Sequence, residues 1–122
     1  MDVKKSGSQP STRGPAEWFT GTVRIDPLFQ APDPARVAGA SVTFEPGAVI
    51  PFAETHVMEH GLYVLEGKAV YRLNQDWVEV EAGDYMWLRA FCPQACYAGG
   101  PGKFRYLLYK DVNRHMKLKP RA

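Results

Sequence analysis

The sequence predicts a single all-β domain, folded as a sandwich or barrel, from three observations. Short segments rich in β-branched and aromatic residues follow one another at close, regular spacing, with turn residues between them. Helical periodicity of useful length is absent from the sequence. The 122 residues also contain eleven glycines and ten prolines scattered along the chain, which suits a domain with many turns.

Each predicted strand is a short run of alternating residues that ends at a turn signal. Turns are predicted at Glu45-Pro46-Gly47, at Glu66-Gly67 and at 81–84. The segment from Asp26 to Pro34 is predicted to be a loop because it contains three prolines. The predicted strands are Trp18 to Ile25, Ala40 to Phe44, Phe52 to Val57, Gly61 to Leu65, Ala69 to Leu73, Trp77 to Val80, Tyr85 to Arg89, Gln94 to Ala98 and Lys103 to Val112.

The chain divides into three parts. Residues 1–15 are predicted to be a flexible arm, because they are rich in Ser, Gly, Pro and Lys. Residues 16–115 are predicted to form the folded domain, and residues 116–122 a basic tail. The chain has the length of one ordinary domain, and its sequence shows neither an internal repeat nor a linker.

Composition and charge restrict the partners and the location. The formal net charge is +2, and Lys and Arg do not gather into one long run, so neither nucleic acid nor membrane is expected as a partner. No signal peptide and no transmembrane span is visible, which predicts a cytoplasmic protein. Cys92 and Cys96 are therefore expected to be reduced thiols.

Three candidate metal ligands fall within seven residues, namely Glu54, His56 and His60. Glu54 and His56 are two residues apart, so they share one face of a strand. His60 lies just beyond, where the next strand can bring it back to the same interior. A single histidine in a strand is more often structural than metal-binding, and it is the combination that predicts a metal site.

The spacing around these residues resembles the two sequence motifs of the cupin family. The first motif begins at Gly47, contains the three candidate ligands and closes at Gly67. The second begins at Gly83, and its ligand position, eleven residues later, is Gln94. The resemblance implies a jelly-roll β-barrel that holds one divalent metal on Glu54, His56, His60 and Gln94.

The ligand types differ from the commonest cupin set, which is two histidines, a glutamate and a further histidine. Two imidazoles, a carboxylate and an amide oxygen form a mixed nitrogen and oxygen site, which suits Mn²⁺ or Fe²⁺. Manganese is the expected metal, with iron and zinc as the alternatives, because zinc binds more tightly than manganese to most such sites.

From about Thr43 to His115 the chain closely resembles the C-terminal cupin of the (S)-ureidoglycine aminohydrolase family. That family is manganese-dependent and releases ammonia from (S)-ureidoglycine in purine breakdown, and the resemblance implies the same small-molecule chemistry here. It also implies that Glu54 and Gln94 contact the substrate, and that Tyr106 and Lys110 complete the pocket. The matching segments are Glu54-Thr55-His56, His60-Gly61, Leu65-Glu66-Gly67, Tyr71-Arg72-Leu73, Trp77, Gly83-Asp84, Pro93-Gln94 and 106–114.

The last predicted strand supports a role for Lys110 independently. Tyr106, Leu108 and Lys110 share one strand face, so Lys110 points inward if Leu108 does. A buried lysine is costly unless it is paired, and a substrate carboxylate would pair it. Together with this argument for Lys110, the resemblance to the aminohydrolase family implies catalytic roles for Glu54, Tyr106 and Lys110. In the alternative interpretation this strand end frays and Lys110 points into solvent.

The front of the chain, about residues 7–47, resembles a different group, the small single-domain cupins that include manganese-dependent hydroxynitrile lyases. The matching segments are 14–21 and 26–32. This resemblance implies a homodimer that pairs through sheet edges. It also leaves open a lyase acting on cyanohydrins, an iron-dependent oxygenase, or a non-catalytic cupin that binds a small acid. The aminohydrolase family normally has two cupin domains, and only one is expected here.

Overall fold

A computed structural model describes residues 3–30, 32, 37–54, 60–73, 76–89 and 94–111, with the backbone alone for 51–54, 73, 94 and 111. The described residues form ten β-strands in two antiparallel sheets, and none of them lies in a helix. The all-β prediction is confirmed. Within the same residues there is consequently no helix with the length and hydrophobicity to cross a membrane.

Chain order and spatial order of the strands differ. The six-stranded sheet has the order β1-β2-β3-β10-β5-β8, and the four-stranded sheet has the order β4-β9-β6-β7. The chain therefore crosses repeatedly from one sheet to the other, as in a jelly roll. The strands are β1 (Thr12–Arg13), β2 (Val23–Gln30), β3 (Val37–Phe44), β4 (Val49–Glu54), β5 (His60–Glu66), β6 (Lys68–Leu73), β7 (Asp76–Glu81), β8 (Tyr85–Leu88), β9 (Gln94–Ala98) and β10 (Phe104–Asp111).

Large apolar side chains from both sheets fill one end of the interior. Val23, Phe44 and Phe104 are register neighbours on β2, β3 and β10, and each is 0% exposed. The Phe104 ring also lies 6.5 Å from the ring of Tyr71, which reaches in from the other sheet. This aromatic layer fills one end of the described interior, and the cavity described below extends from it along the same strands.

The strands from β3 onward overlap those predicted from the sequence, with Val57 and Val112 outside the described residues, but the front of the chain differs. β2 begins only at Val23, and it continues through Asp26–Gln30, where the prolines predicted a loop. That part of the loop prediction is wrong. Pro27 is accommodated because its register with β3 shifts between Pro27 and Phe29, and because β1 does not extend alongside it. Proline is tolerated at such sheet edges and bulges.

Part of the segment predicted to be a flexible arm lies against β2. Thr12 and Arg13 form β1, which pairs with Ile25 and Arg24. The side-chain amide of Gln9 donates hydrogen bonds to the carbonyl oxygens of Pro27 (3.1 Å) and Leu28 (2.8 Å), beyond the reach of β1. These contacts attach the segment to the sheet and carry Gln9 to the cavity described below.

Candidate active site

A cavity of about 480 Å³ lies inside the barrel, at the end away from the aromatic layer. This volume is within the usual range of small-molecule sites. Its described walls come mainly from the inward faces of the six-stranded sheet, together with residues that precede β2. The described lining residues are Gln9, Trp18, Phe19, Ile25, Pro27, Phe29, Gln30, Ala38, Gly39, Ala40, Val42, Ile50, His60, Leu62, Tyr106, Leu108 and Lys110.

Two predicted site residues meet in one row across the sheet. Lys110 on β10 is the direct register partner of His60 on β5, and both line the cavity. His60 is only 4% exposed, and Lys110 is half-buried. Register partners on adjacent strands have Cβ atoms about 5 Å apart, so a small ligand can contact both side chains. The structure therefore shows the inward arrangement of Lys110 and not the frayed alternative.

Tyr106 lies on the same strand face but deeper. It is separated from Lys110 by four positions, about 13 Å along an extended strand, with Leu108 between them. Its side chain is 6% exposed, and its ring lies 5.8 Å from Phe104 and 6.0 Å from Phe44. Of the residues predicted to bind substrate, Tyr106 and Lys110 therefore occupy opposite ends of the cavity, with Leu108 between them.

Glu54 and Gln94, which are far apart in sequence, are Cα register partners at the ends of β4 and β9. Glu54 is the last residue of β4, and His60 is the first residue of β5. Only residues 55–59 join them, so the pair and His60 belong to the same end of the barrel. His56 lies outside the described residues, and its predicted role stays a prediction.

The donor types available at this end fit a divalent metal such as manganese or iron. Carboxylate and amide oxygens suit hard cations, and imidazole suits borderline metals, so the set is not specific for a thiophilic ion. Within the described part of the chain, no three His, Cys, Asp or Glu side chains form a metal-binding group. The fit therefore rests on the chemistry of the donor set and on the buried imidazole of His60 at the cavity wall.

A buried polar cluster lies beneath the cavity. Tyr71 on β6 and Cys96 on β9 are register partners, and Tyr106 lies beside them. Burial raises the pKa of the Tyr71 phenol well above its ordinary value, and the neighbouring Tyr106 and Cys96 raise it further. Burial also raises the pKa of the Cys96 thiol to about 12, although the neighbouring Tyr71 hydroxyl opposes this shift. Cys96 is thus a free, protonated core thiol, and a thiol in that form is a poor metal ligand.

Sequence reasoning missed most of the cavity wall. Phe29 and Pro27 lie in the segment that was predicted to be a loop, and the sequence-based prediction does not include Ala38. A signal was present, because Ala38, Ala40 and Val42 repeat with the period of two that marks one face of a strand. Gln9 reaches the site only through its long-range hydrogen bonds to β2, for which the local sequence has no signal.

Comparison with known proteins gives a family match and several relatives. The family model described as a cupin domain matches residues 40–109. The chain is 56% identical over 88 residues to the (R)-mandelonitrile lyase of Granulicella tundricola, covering 71% of this chain and 66% of that protein. It is 47% identical over 75 residues to the (S)-ureidoglycine aminohydrolase of Arabidopsis thaliana, covering 62% of this chain and 25% of that protein. The chain therefore spans about two thirds of the lyase and about a quarter of the plant aminohydrolase.

Solved structures are similar as well. A putative glyoxylate-induced protein from Pseudomonas aeruginosa is 73% identical with a TM-score of 0.65, covering 80% of this chain and 37% of that chain. A predicted oxalate decarboxylase from Thermotoga maritima has a TM-score of 0.78 over 91% of this chain and 98% of its own. Since the latter is only 19% identical, its similarity concerns the fold alone.

Proposed function

Because the chain belongs to the family of cupin domains, we propose that it is a metal-dependent enzyme that hydrolyses a carbon–nitrogen bond of a small amino or ureido acid and releases ammonia. The observation that carries the proposal is the pairing of Lys110 with His60 at the cavity wall, at the end of the barrel where Glu54 and Gln94 are register partners. The relatives named (S)-ureidoglycine aminohydrolase support hydrolysis, and (S)-ureidoglycine is the first substrate to assay.

Glu54, His56, His60 and Gln94 would hold one divalent metal, manganese in the first instance and iron or zinc as alternatives. Such a metal, when bound, supplies Lewis-acid polarisation of the substrate. The protein residues supply the remaining functions. A cationic ammonium group and a phenol at opposite ends of the cavity can hold a substrate at two points and fix its orientation, which lowers the entropic part of the barrier.

Lys110 binds the substrate carboxylate, and Tyr106 donates a hydrogen bond to a group deeper in the cavity. If substrate binding displaces Glu54 from the metal, the Glu54 carboxylate can accept a proton from the attacking water and return it to the departing amine. The water oxygen bonds to the carbon that carries the amino group, the bond from that carbon to the amino nitrogen breaks, and the products are ammonia and the corresponding hydroxy acid. For (S)-ureidoglycine that product is ureidoglycolate.

Replacing Lys110 tests the substrate-binding part of this proposal. Lys110→Met keeps the length of the side chain but removes its charge, and we expect kcat/KM for ammonia release to fall about 10- to 100-fold, the usual worth of a hydrogen bond to a charged group. The metal content should stay at the wild-type level. Lys103→Met is the matched control, because Lys103 precedes the same strand and its side chain forms an exposed ion pair with Glu45 at 3.7 Å. Equal kcat/KM values in the two variants would contradict the role of Lys110.

A second candidate function is a lyase acting on cyanohydrins, and the apolar wall contributed by β2 favours it. The relative named (R)-mandelonitrile lyase supports the same candidate. Cleavage of mandelonitrile without ammonia release from ureidoglycine would select the lyase. Tight binding of a small acid without turnover of any substrate would instead select a binding protein. Cytoplasmic location and the absence of nucleic-acid and membrane partners stay predictions.

We also propose that two copies of the chain form a homodimer through the outer face of the six-stranded sheet, whereas the resemblance implied pairing through sheet edges. Tyr63 on β5 is the register partner of Tyr85 and Leu107, and Gly61 is that of Trp87 and Tyr109. These side chains form one contiguous uncharged surface, on the order of 500 Å² if each aromatic residue is about half exposed. Because a stable interface buries about 800 Å² per partner, this surface would supply more than half of the area that such an interface needs. An uncharged aromatic surface is best covered by an equally apolar one, and a second copy supplies it.

Charging this surface should separate the dimer. In Trp87→Lys, a lysine replaces a side chain that is 62% exposed on edge strand β8. We expect sedimentation velocity to show a monomer, because burying an unpaired ammonium group is costly. Trp77→Lys is the matched control, since Trp77 is 52% exposed on the other sheet. A dimer that persists in Trp87→Lys, or a wild-type monomer, would contradict the proposal.

A further inference from the structure

The described wall of the cavity is polar at one level and apolar at the next. Register along the six-stranded sheet places Ala38, Lys110 and His60 in one row. The next inward-facing row is Ala40, Leu108 and Leu62, all of them apolar and all lining the cavity. A ligand held by Lys110 therefore projects its remaining atoms either toward the metal-binding residues or onto this apolar row.

Residues from the front of the chain enlarge the apolar part of the cavity wall. Ile25, Pro27 and Phe29 line the cavity from β2, and Pro27 is the register partner of Ala40. Phe19 adds a ring that packs edge-on against Phe44, with centroids 5.9 Å apart. Pro27 and Phe29 thus adjoin the small residues Ala40 and Gly39 of β3, where the short Ala40 side chain leaves space.

We propose that the substrate is a 2-amino carboxylic acid that carries an aliphatic or aromatic substituent, with its carboxylate on Lys110, that substituent on the row formed by Ala40, Leu62 and Leu108, and its 2-amino group released as ammonia. The proposal rests on the proposed function and narrows its substrate class. The central carbon of ureidoglycine carries a carboxylate, an amino group, a ureido group and one hydrogen atom, so ureidoglycine has no apolar group that fills this row. Placing one of its polar groups against the row would remove that group's hydrogen bonds to water without replacement, which is unfavourable.

The test uses carboxylic acids that lack a carbon–nitrogen bond, so that binding is measured apart from turnover. Acetate, butyrate and hexanoate are titrated into the manganese-loaded protein by calorimetry. We expect affinity to rise roughly fourfold for each methylene group that enters the apolar part. This series needs no variant, so its result does not depend on whether a variant folds.

Two variants test whether the rise in affinity with chain length comes from the apolar wall of the cavity. Phe29→Ala should lower the gain in affinity from acetate to hexanoate. Leu28→Ala changes the neighbouring position, which lies outside the cavity lining, and should leave that gain in affinity intact. Ala40→Leu, which fills the space, should also lower the affinity for hexanoate. A full gain in both Phe29→Ala and Ala40→Leu would overturn the assignment.

Lys110→Met separates failure of this inference from failure of the proposed function. If affinity does not depend on chain length but all three acids bind less tightly to Lys110→Met, the apolar substituent is excluded while the carboxylate site stands. If affinity depends on neither chain length nor Lys110, both the inference and the proposed carboxylate site are overturned.

Discussion

His60→Ala is expected to lose its divalent metal and, with it, ammonia release. His60 begins β5 at the cavity wall and is 4% exposed, so solvent cannot readily replace its imidazole as a ligand. Loss of a partner that only orients a ligand already costs about 10- to 100-fold in metal affinity, and loss of the ligand itself should cost more. Mass spectrometry of the purified variant should find metal well below one equivalent, against near-stoichiometric manganese or iron in the wild type.

His115→Ala is the matched control for this prediction. It makes the same chemical change at the third histidine of the chain, which is not among the predicted ligands. Circular dichroism of both variants checks that each is folded. Glu54→Ala/His56→Ala should behave like His60→Ala. Wild-type metal content in His60→Ala would remove this residue from the site, and metal-free wild-type protein would remove the enzyme proposal.

Gly67→Ala is expected to lower the free energy of unfolding more than the substitution of an exposed residue does. Gly67 has a φ of +83°, which is unfavourable for residues with a Cβ atom. An added Cβ would overlap the carbonyl oxygen of Lys103 and would lie 3.0 Å from the Cα of Phe104. Both neighbours are backbone atoms, so no side-chain rotation can relieve the contact. Strain and overpacking together should lower the free energy of unfolding by about 2 to 5 kcal/mol.

Gly102→Ala is the control for this change. It lies in the turn that precedes β10, and a Cβ added there would meet nothing within 4 Å. Urea unfolding monitored by fluorescence should show a midpoint close to that of the wild type for Gly102→Ala and a much lower midpoint for Gly67→Ala. Similar midpoints in the two variants would show that the approach of Gly67 to β10 is not tight. That approach matters for the site because β10 carries Tyr106 and Lys110.

Local alternation in the sequence was sufficient to predict most of the strands and the inward face of β10. A period of two is a property of the extended backbone itself, so Lys110 follows Leu108 to the same face wherever the strand lies. The same reasoning failed at Pro27. Whether a strand tolerates a proline depends on whether a neighbouring strand lies alongside and on the local register, and neither is written in the nearby residues.

The tertiary structure alone decided which of these faces meet. The pairing of Lys110 with His60, and of Glu54 with Gln94, joins strands that are 40 or more residues apart, and periodicity specifies a face without specifying its neighbour. The depth of Tyr106 relative to Lys110 and the apolar wall supplied by β2 likewise follow from strand order and register. The sequence by itself therefore determined the family and the candidate ligands, whereas the cavity that would select a substrate exists only once distant strands pack around a common interior.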